Sequence, residues 1–175
     1  MVIILNRRTL KCLQRYNDGT LITKILNIDL LAEYGHLSLI CYYNNDSNVI
    51  CTTDAIDFAA NSGHLNIIKW LHTNRTEGCT RSAIDYAAFN GYLDIIKWLY
   101  EYCADGCTMD AIYWAAESGY YDIAEFLYEN RHKYCNDCWI GYEFREMINT
   151  EIKFALKNNN IARYDSLCRL RIICQ

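Results

Sequence analysis

Several things are missing from this sequence, and each absence narrows what the chain can be. There is no excess of basic charge: 17 Lys and Arg stand against 21 Asp and Glu, a formal net charge of −4. No broad positive field is available for phosphate backbones or anionic lipid, so neither nucleic acid nor a membrane is expected as a partner. No window of about 18 uninterrupted apolar residues occurs, which excludes a membrane-spanning helix by sequence. The opening "MVIILNRR" carries its positive charge after a short apolar run, the wrong order for a secretory signal. The chain therefore reads as soluble and cytoplasmic. No Gly-rich phosphate loop, HExxH, GxSxG or suggestive Ser/His/Asp set is present, so no catalytic residue and no cofactor is assigned and the chain is not read as an enzyme. Proline is absent while Asn, Ile and Tyr, encoded by codons poor in G and C, are abundant, a bias that points to an AT-rich source.

What is present is enough apolar sequence, 52% of 175 residues, for one domain with its own core. Within it the chain repeats itself. "GHLNIIKWLH" at residues 63–72 returns as "GYLDIIKWLY" at 91–100, and aligning residues 51–78 with 79–106 gives 15 identities in 28 positions. Unrelated segments of ordinary composition would share roughly two. A third copy follows at 107–134 through "DAIYWAAESGYYDIAEFLYE", and a worn one precedes at 23–50 through Asp29, Ala32 and "GHLSLI". Four units of 28 residues thus run over 23–50, 51–78, 79–106 and 107–134.

Each unit divides at a glycine, Gly35, Gly63, Gly91 or Gly119, which suits the left-handed turn between two helices. In the second segment Leu93, Ile96 and Leu99 recur at helical spacing, widened by Ile95 and Trp98. Asp54, Ser82 and Asp110, just before the first apolar segment, are expected as N-caps. One helix pair cannot bury both faces alone, so the copies are expected to stack into a solenoid with a continuous core. The register Tyr42, Trp70, Trp98, Phe126 is expected to form an aromatic ladder in that core, where Trp98→Ala would cost about 3–5 kcal/mol.

The stretch "AIDFAANSGHLNIIKWLH" resembles the ankyrin repeat, whose core pattern is Leu-His-x-Ala-Ala, two variable residues, then Gly-His-Leu. The resemblance covers residues 23–134, and "WLHTNRTEGCT" is more specifically similar to the short ankyrin arrays of giant DNA viruses that infect amoebae, and of amoebae and oomycetes themselves. It implies an all-α, ankyrin-type helix-turn-helix solenoid acting as a monomeric, non-catalytic protein-interaction module, directed at host proteins in the host cytoplasm if the source is viral. The family's Thr-Pro-Leu-His signature reads here as residues 54–57, 82–85 and 110–113, with its proline and its inter-repeat histidine both replaced. The period is 28 rather than about 33, so about five residues are missing, most simply from the projecting loop.

The ends are atypical. Residues 1–22 are expected to form an N-terminal capping helix, and 135–175 an irregular insertion followed by a degenerate capping repeat with Asn159 at the glycine position. Ten cysteines would suggest disulfides only in a secreted chain, so reduced thiols are expected. The register Cys51, Cys79, Cys107, Cys135 fits small buried thiols, since stacked helices lie about 8–10 Å apart and a bridge needs Cα atoms within about 7 Å. A candidate metal site is His132, Cys135 and Cys138, with the fourth ligand from Cys107, Cys168 or Cys174; a small metal- or redox-active domain is the alternative reading. His64, replaced by Tyr92 and Tyr120 in the next units, reads as structural, and Asp57 and Asp85 read as a solvated inner-helix face.

Core positions repeat, so partner recognition is expected where the units differ. Carried over from the resemblance, the binding positions are Thr53, Arg81 and Met109 in the loop before the first helix, and Asn61 with Ser62, Phe89 with Asn90, and Glu117 with Ser118 at the end of that helix. Phe89, Arg81 and Met109 are expected to form the centre of the patch, because exposed aromatics and Arg are favoured anchors.

Overall fold

In the computed structural model, the described residues are 27–46, 49–103, 106–130 and 142–173. They form ten helices and no strand; the one extended pairing among them is an isolated parallel bridge between Asn27 and Ile50. The helices come in pairs: α1 (Ile28–Glu33) with α2 (Leu37–Tyr43), α3 (Asp54–Asn61) with α4 (Leu65–Asn74), α5 (Arg81–Phe89) with α6 (Leu93–Tyr102), α7 (Met109–Glu117) with α8 (Tyr121–Asn130), and α9 (Tyr142–Lys157) with α10 (Ile161–Ile173). The expected N-terminal helix over 1–22 lies outside the described residues.

The turn inside each pair follows from one backbone requirement. Gly35, Gly63, Gly91 and Gly119 all have φ between 79° and 84°, and Asn159 holds the same left-handed region at 54°. Only glycine, or Asn at some cost, adopts it readily. The chain then closes on itself in the same way each time: His64 N–H donates to Ala59 O at 2.8 Å, Tyr92 N–H to Ala87 O at 2.9 Å, Tyr120 N–H to Ala115 O at 2.8 Å and Asn160 N–H to Ala155 O at 2.9 Å. The terminal pair is thus built on the turn of the repeats.

The two helices of a unit bury different side chains. First helices present Ala55, Ala59 and Ala60, then Ala83, Ala87 and Ala88, then Ala111, Ala115 and Ala116; second helices present Ile67, Ile68 and Leu71, then Ile95, Ile96 and Leu99, then Ile123, Ala124 and Leu127. Small residues let α1, α3, α5 and α7 approach closely in sequence, whereas the second helices of the four repeats, α2, α4, α6 and α8, are not held in comparable contact with one another. A stack whose first helices lie closer than its second helices curves with the first helices on the inside. At the C-terminal end α10 packs on both α8 and α9, and Leu167 and Ile148 extend the core into this last pair.

The expected aromatic ladder is not a core feature. Tyr42 is 64% exposed, and Trp70, Trp98 and Phe126 are half-buried against the core's edge. The rings that meet are offset from the register: Trp98 stacks on Tyr102 at 4.8 Å and meets His72 edge-on at 5.2 Å, and Phe126 meets Tyr100 edge-on at 5.5 Å.

Candidate functional site

The acids read by sequence as a solvated pair are buried, Asp57 at 3% and Asp85 at 7% exposure, with Asp29 like them. The reason is a partner 23 residues on, in the next unit. Thr52 N–H and Oγ1–H donate to the Asp29 carboxylate at 2.8 and 2.9 Å. Thr80 N–H donates to Asp57 at 2.9 Å with its hydroxyl donating to the other oxygen. Thr108 N–H and Oγ1–H donate to Asp85, both at 2.9 Å. Burial pushes the Asp85 carboxyl above its ordinary value, against the pull of the two Thr108 hydrogen bonds and the Arg81 charge. Two of these threonines also cap the next helix: Thr52 Oγ1 accepts from Asp54 N–H and Thr80 Oγ1 from Ser82 N–H, each at 3.1 Å. The expected caps Asp54, Ser82 and Asp110 sit inside the first turn; at Asp54 and Ser82 the capping oxygen comes from two residues earlier, while Thr108, the N-cap of α7, makes no side-chain cap hydrogen bond. In the fourth unit Tyr113 takes the Asp position and is exposed, which ends the series of clasps.

His64 proves to be a packing residue. A Cβ on Gly35 would lie 2.8 Å from the His64 ring, one on Gly63 2.8 Å from the Tyr92 ring and one on Gly91 2.6 Å from the Tyr120 ring. Each ring lies over the preceding unit's glycine, so this position needs a flat ring and not an imidazole.

Cys41, Cys51, Cys79, Cys103, Cys107 and Cys168 are reduced thiols. Cys107 is buried and its Sγ lies 3.1 Å from the Tyr100 hydroxyl, while Cys51 and Cys79 are half-buried, less enclosed than expected. Burial, reinforced by the Glu77 charge, pushes the Cys51 thiol up to about 11, and burial also raises Cys107. Thiols held protonated at neutral pH are poor nucleophiles and poor metal ligands. Among the described residues no group of three or more His, Cys, Asp or Glu could hold a metal ion. His132, Cys135, Cys138 and Cys174 lie outside the described residues, and Cys168 is half-buried at the C-terminal pair.

With the clasps and glycine rings assigned to stacking, the inner-helix face remains. Asn61, Phe89 and Glu117 are the last residues of α3, α5 and α7, and Ser62, Asn90 and Ser118 are their C-caps. These six occupy equivalent positions at the ends of the three helices; Asn90 Nδ2 donates to Asn61 Oδ1 at 3.0 Å, and Phe89 is 54% exposed while meeting the Trp114 ring edge-on at 6.2 Å. Thr53, Arg81 and Met109 lie at the opposite ends of the same helices, Thr53 as the N-cap of α3 and the other two as first residues of α5 and α7. A helix rises about 1.5 Å per residue, so Arg81 and Phe89 stand about 12 Å apart along α5. The set expected as one central patch is two rows.

Between those rows lies a third that sequence reading missed. Phe58 and Trp114 are half-buried and Tyr86 is exposed, at the same position of α3, α5 and α7, with Leu30 exposed at that position of α1. The signal was there: with residues 55–57, 59 and 60 buried, position 58 falls with 54, 61 and 62 on the opposite helical face. Aromatics that recur in each unit had been absorbed into the idea of a repeated core. Among the described residues no helix is long and apolar enough to cross a membrane.

The sequence comparisons agree with this architecture. A family model of ankyrin repeats, in three copies, matches residues 28–110 and 56–137, together more than half the chain. No curated protein and no solved structure matches significantly. Paired helices stacked on left-handed glycine turns at a 28-residue period, with that match across them, show that the chain belongs to the ankyrin-repeat family.

Proposed function

We propose that this chain is a monomeric, non-catalytic interaction module that captures a protein on its inner-helix face. Ankyrin repeats are protein-interaction units, and the observation that carries the reading here is the row Phe58, Tyr86, Trp114 with the exposed Phe89 beside it. Aromatic side chains supply large, stiff contact area at low entropic cost and are enriched in interface hot spots. The rows Asn61–Ser62, Phe89–Asn90 and Glu117–Ser118 on one side, and Thr53, Arg81 and Met109 on the other, form its rim. The pair α9 and α10 acts as a cap on the C-terminal end of the stack, a reading favoured by the packing of α10 on α8. The loop at 75–80 is short and makes no long projecting finger, which favours recognition on the helix faces. The similarity of the 28-residue units to giant-virus arrays makes host cytoplasmic proteins the first partners to test.

The test is affinity capture from host lysate with wild type and the variant Arg81→Ala, Phe89→Ala, Met109→Ala, both shown folded by circular dichroism. A prey protein held by wild type and lost by the variant is the expected result. Equal capture by both would refute the assignment of this face.

A further inference from the structure

The charges beside the aromatic row are nearly all of one sign. Asp54 shares a face with Phe58 and Asn61 on α3, and Asp110 with Trp114 and Glu117 on α7, each set spaced i, i+4, i+7. Glu33 ends α1. Against these four carboxylates the face holds, among the described residues, one cation, Arg81, whose charge already acts on the buried Asp85. The imbalance extends through the whole stack: residues 27–130 hold 15 Asp and Glu against 4 Lys and Arg, whereas the remainder of the chain holds 6 against 13. Three of the 15 are the buried clasp acids. Asp54, Asp110 and Glu117 are exposed and have no such packing role.

Carboxylates set among aromatic rings favour one class of ligand. A guanidinium or ammonium group lies well over the face of Trp, Tyr or Phe and at the same time donates to nearby carboxylates. An acidic segment or a phosphate backbone would meet repulsion on the same surface. First helices packed about 8–10 Å apart make a four-helix face about 25–30 Å long. An extended chain rises about 3.3 Å per residue, so about nine residues span it. Resting on the inner-face reading above, we infer that the partner presents an extended, Arg- or Lys-bearing segment, with its cations over Tyr86, Phe89 and Trp114 and against Asp54, Asp110 and Glu117.

The experiment is fluorescence anisotropy on the full chain with labelled Arg-Ser, Glu-Ser and Leu-Ser repeat peptides, each about nine residues to match the extended span. The Arg-Ser peptide is expected to bind, with affinity falling steeply as salt rises. Its affinity should drop about tenfold or more in Tyr86→Ala/Phe89→Ala and again in Asp110→Asn/Glu117→Gln, the range expected when a hot-spot contact or a close charge pair is removed. No binding of the Arg-Ser peptide, or binding that neither variant changes, overturns the inference. Binding of the Glu-Ser or Leu-Ser peptide that Tyr86→Ala/Phe89→Ala abolishes overturns the charge assignment while leaving the inner face as the binding surface. Arg-Ser binding lost only on replacing Asp94, Asp122 and Glu125 on the second helices overturns both. Dimerisation of the free protein that the inner-face variants abolish would put a second copy on the face and likewise overturn it.

Discussion

Replacing Asp57 with alanine tests whether the Asp–Thr clasps hold neighbouring units together. The Asp57 carboxylate accepts the Thr80 amide at 2.9 Å and the Thr80 hydroxyl, and that hydroxyl in turn accepts from Ser82 N–H at 3.1 Å. Hydrogen bonds to a charged group contribute about 1.5–3 kcal/mol each. Removing the carboxylate also relieves the cost of burying it, which is several kcal/mol before compensation. What remains is an orphaned Thr80 amide, at about 1–3 kcal/mol, and a less restrained cap on α5, at up to about 1 kcal/mol. We therefore expect Asp57→Ala to lose about 2–4 kcal/mol in urea unfolding followed by circular dichroism. Asp57→Asn should lose about 1 kcal/mol, because the amide oxygen can still accept Thr80 N–H and its NH2 can donate to the hydroxyl. In a double-mutant cycle Thr80→Val, which keeps the shape, should show a coupling to Asp57→Ala of about 1 kcal/mol or more. A loss below about 0.5 kcal/mol for Asp57→Ala, or no coupling, would refute the clasp as an inter-unit bond.

Three further outcomes are expected. Gly91→Ala and Gly119→Ala share the left-handed backbone penalty of about 1–2 kcal/mol, but only at Gly91 would the new Cβ meet a ring, Tyr120 at 2.6 Å; thermal melts should show Gly91→Ala the worse by about 1 kcal/mol. Trp98→Ala should cost about 1.5–3 kcal/mol rather than the 3–5 of a fully buried indole, since Trp98 is half-buried, and a loss under about 0.5 kcal/mol would remove its packing role. Burial, with the neighbouring His64 charge, holds the His36 imidazole below its ordinary 6.5. A lowered folded value means the neutral ring is favoured by folding, so its stabilising contribution is present above pH 6.5 and fades as pH falls below it. His64→Tyr, which installs the ring found over Gly63 and Gly91, should soften that acid loss without removing it, because burial is the larger cause; Tm measured across the acid range should show the change, and an identical profile would contradict it.

The repeating skeleton was legible because each of its requirements is local. A left-handed turn demands glycine or Asn, so Gly35, Gly63, Gly91, Gly119 and Asn159 announced five helix-helix turns, and the structure has positive φ at all five. What depends on a neighbour in space was harder to see. Asp57 looked exposed because its partner, Thr80, lies 23 residues away, although both members of the pair recur with the period of the repeat. The expected caps fall inside the first turn for the same reason, since at Thr52 and Thr80 one hydroxyl serves both the clasp and the cap. The second-helix aromatics were read as core because they repeat, but repetition reports equivalent surroundings, which on this chain include the half-buried edge. That same equation of repetition with core hid Phe58, Tyr86 and Trp114, whose placement between buried positions 57 and 59 assigns them to the open face of the helix. Phe89 was found because it departs from its equivalents Asn61 and Glu117.

Partner capture with matched substitutions on the two faces of the stack tests the central claim most directly. Tyr86→Ala/Phe89→Ala alters the inner helices, and Lys97→Ala/Tyr102→Ala alters exposed positions of the second helix α6 in the same unit. Both proteins, verified as folded, would be compared with wild type for capture of the same prey, with bound amounts quantified. Loss of the prey with the inner-face pair and retention with the outer-face pair is the result this account predicts. Retention with the inner-face pair and loss with the outer-face pair would contradict it and place recognition on the convex side.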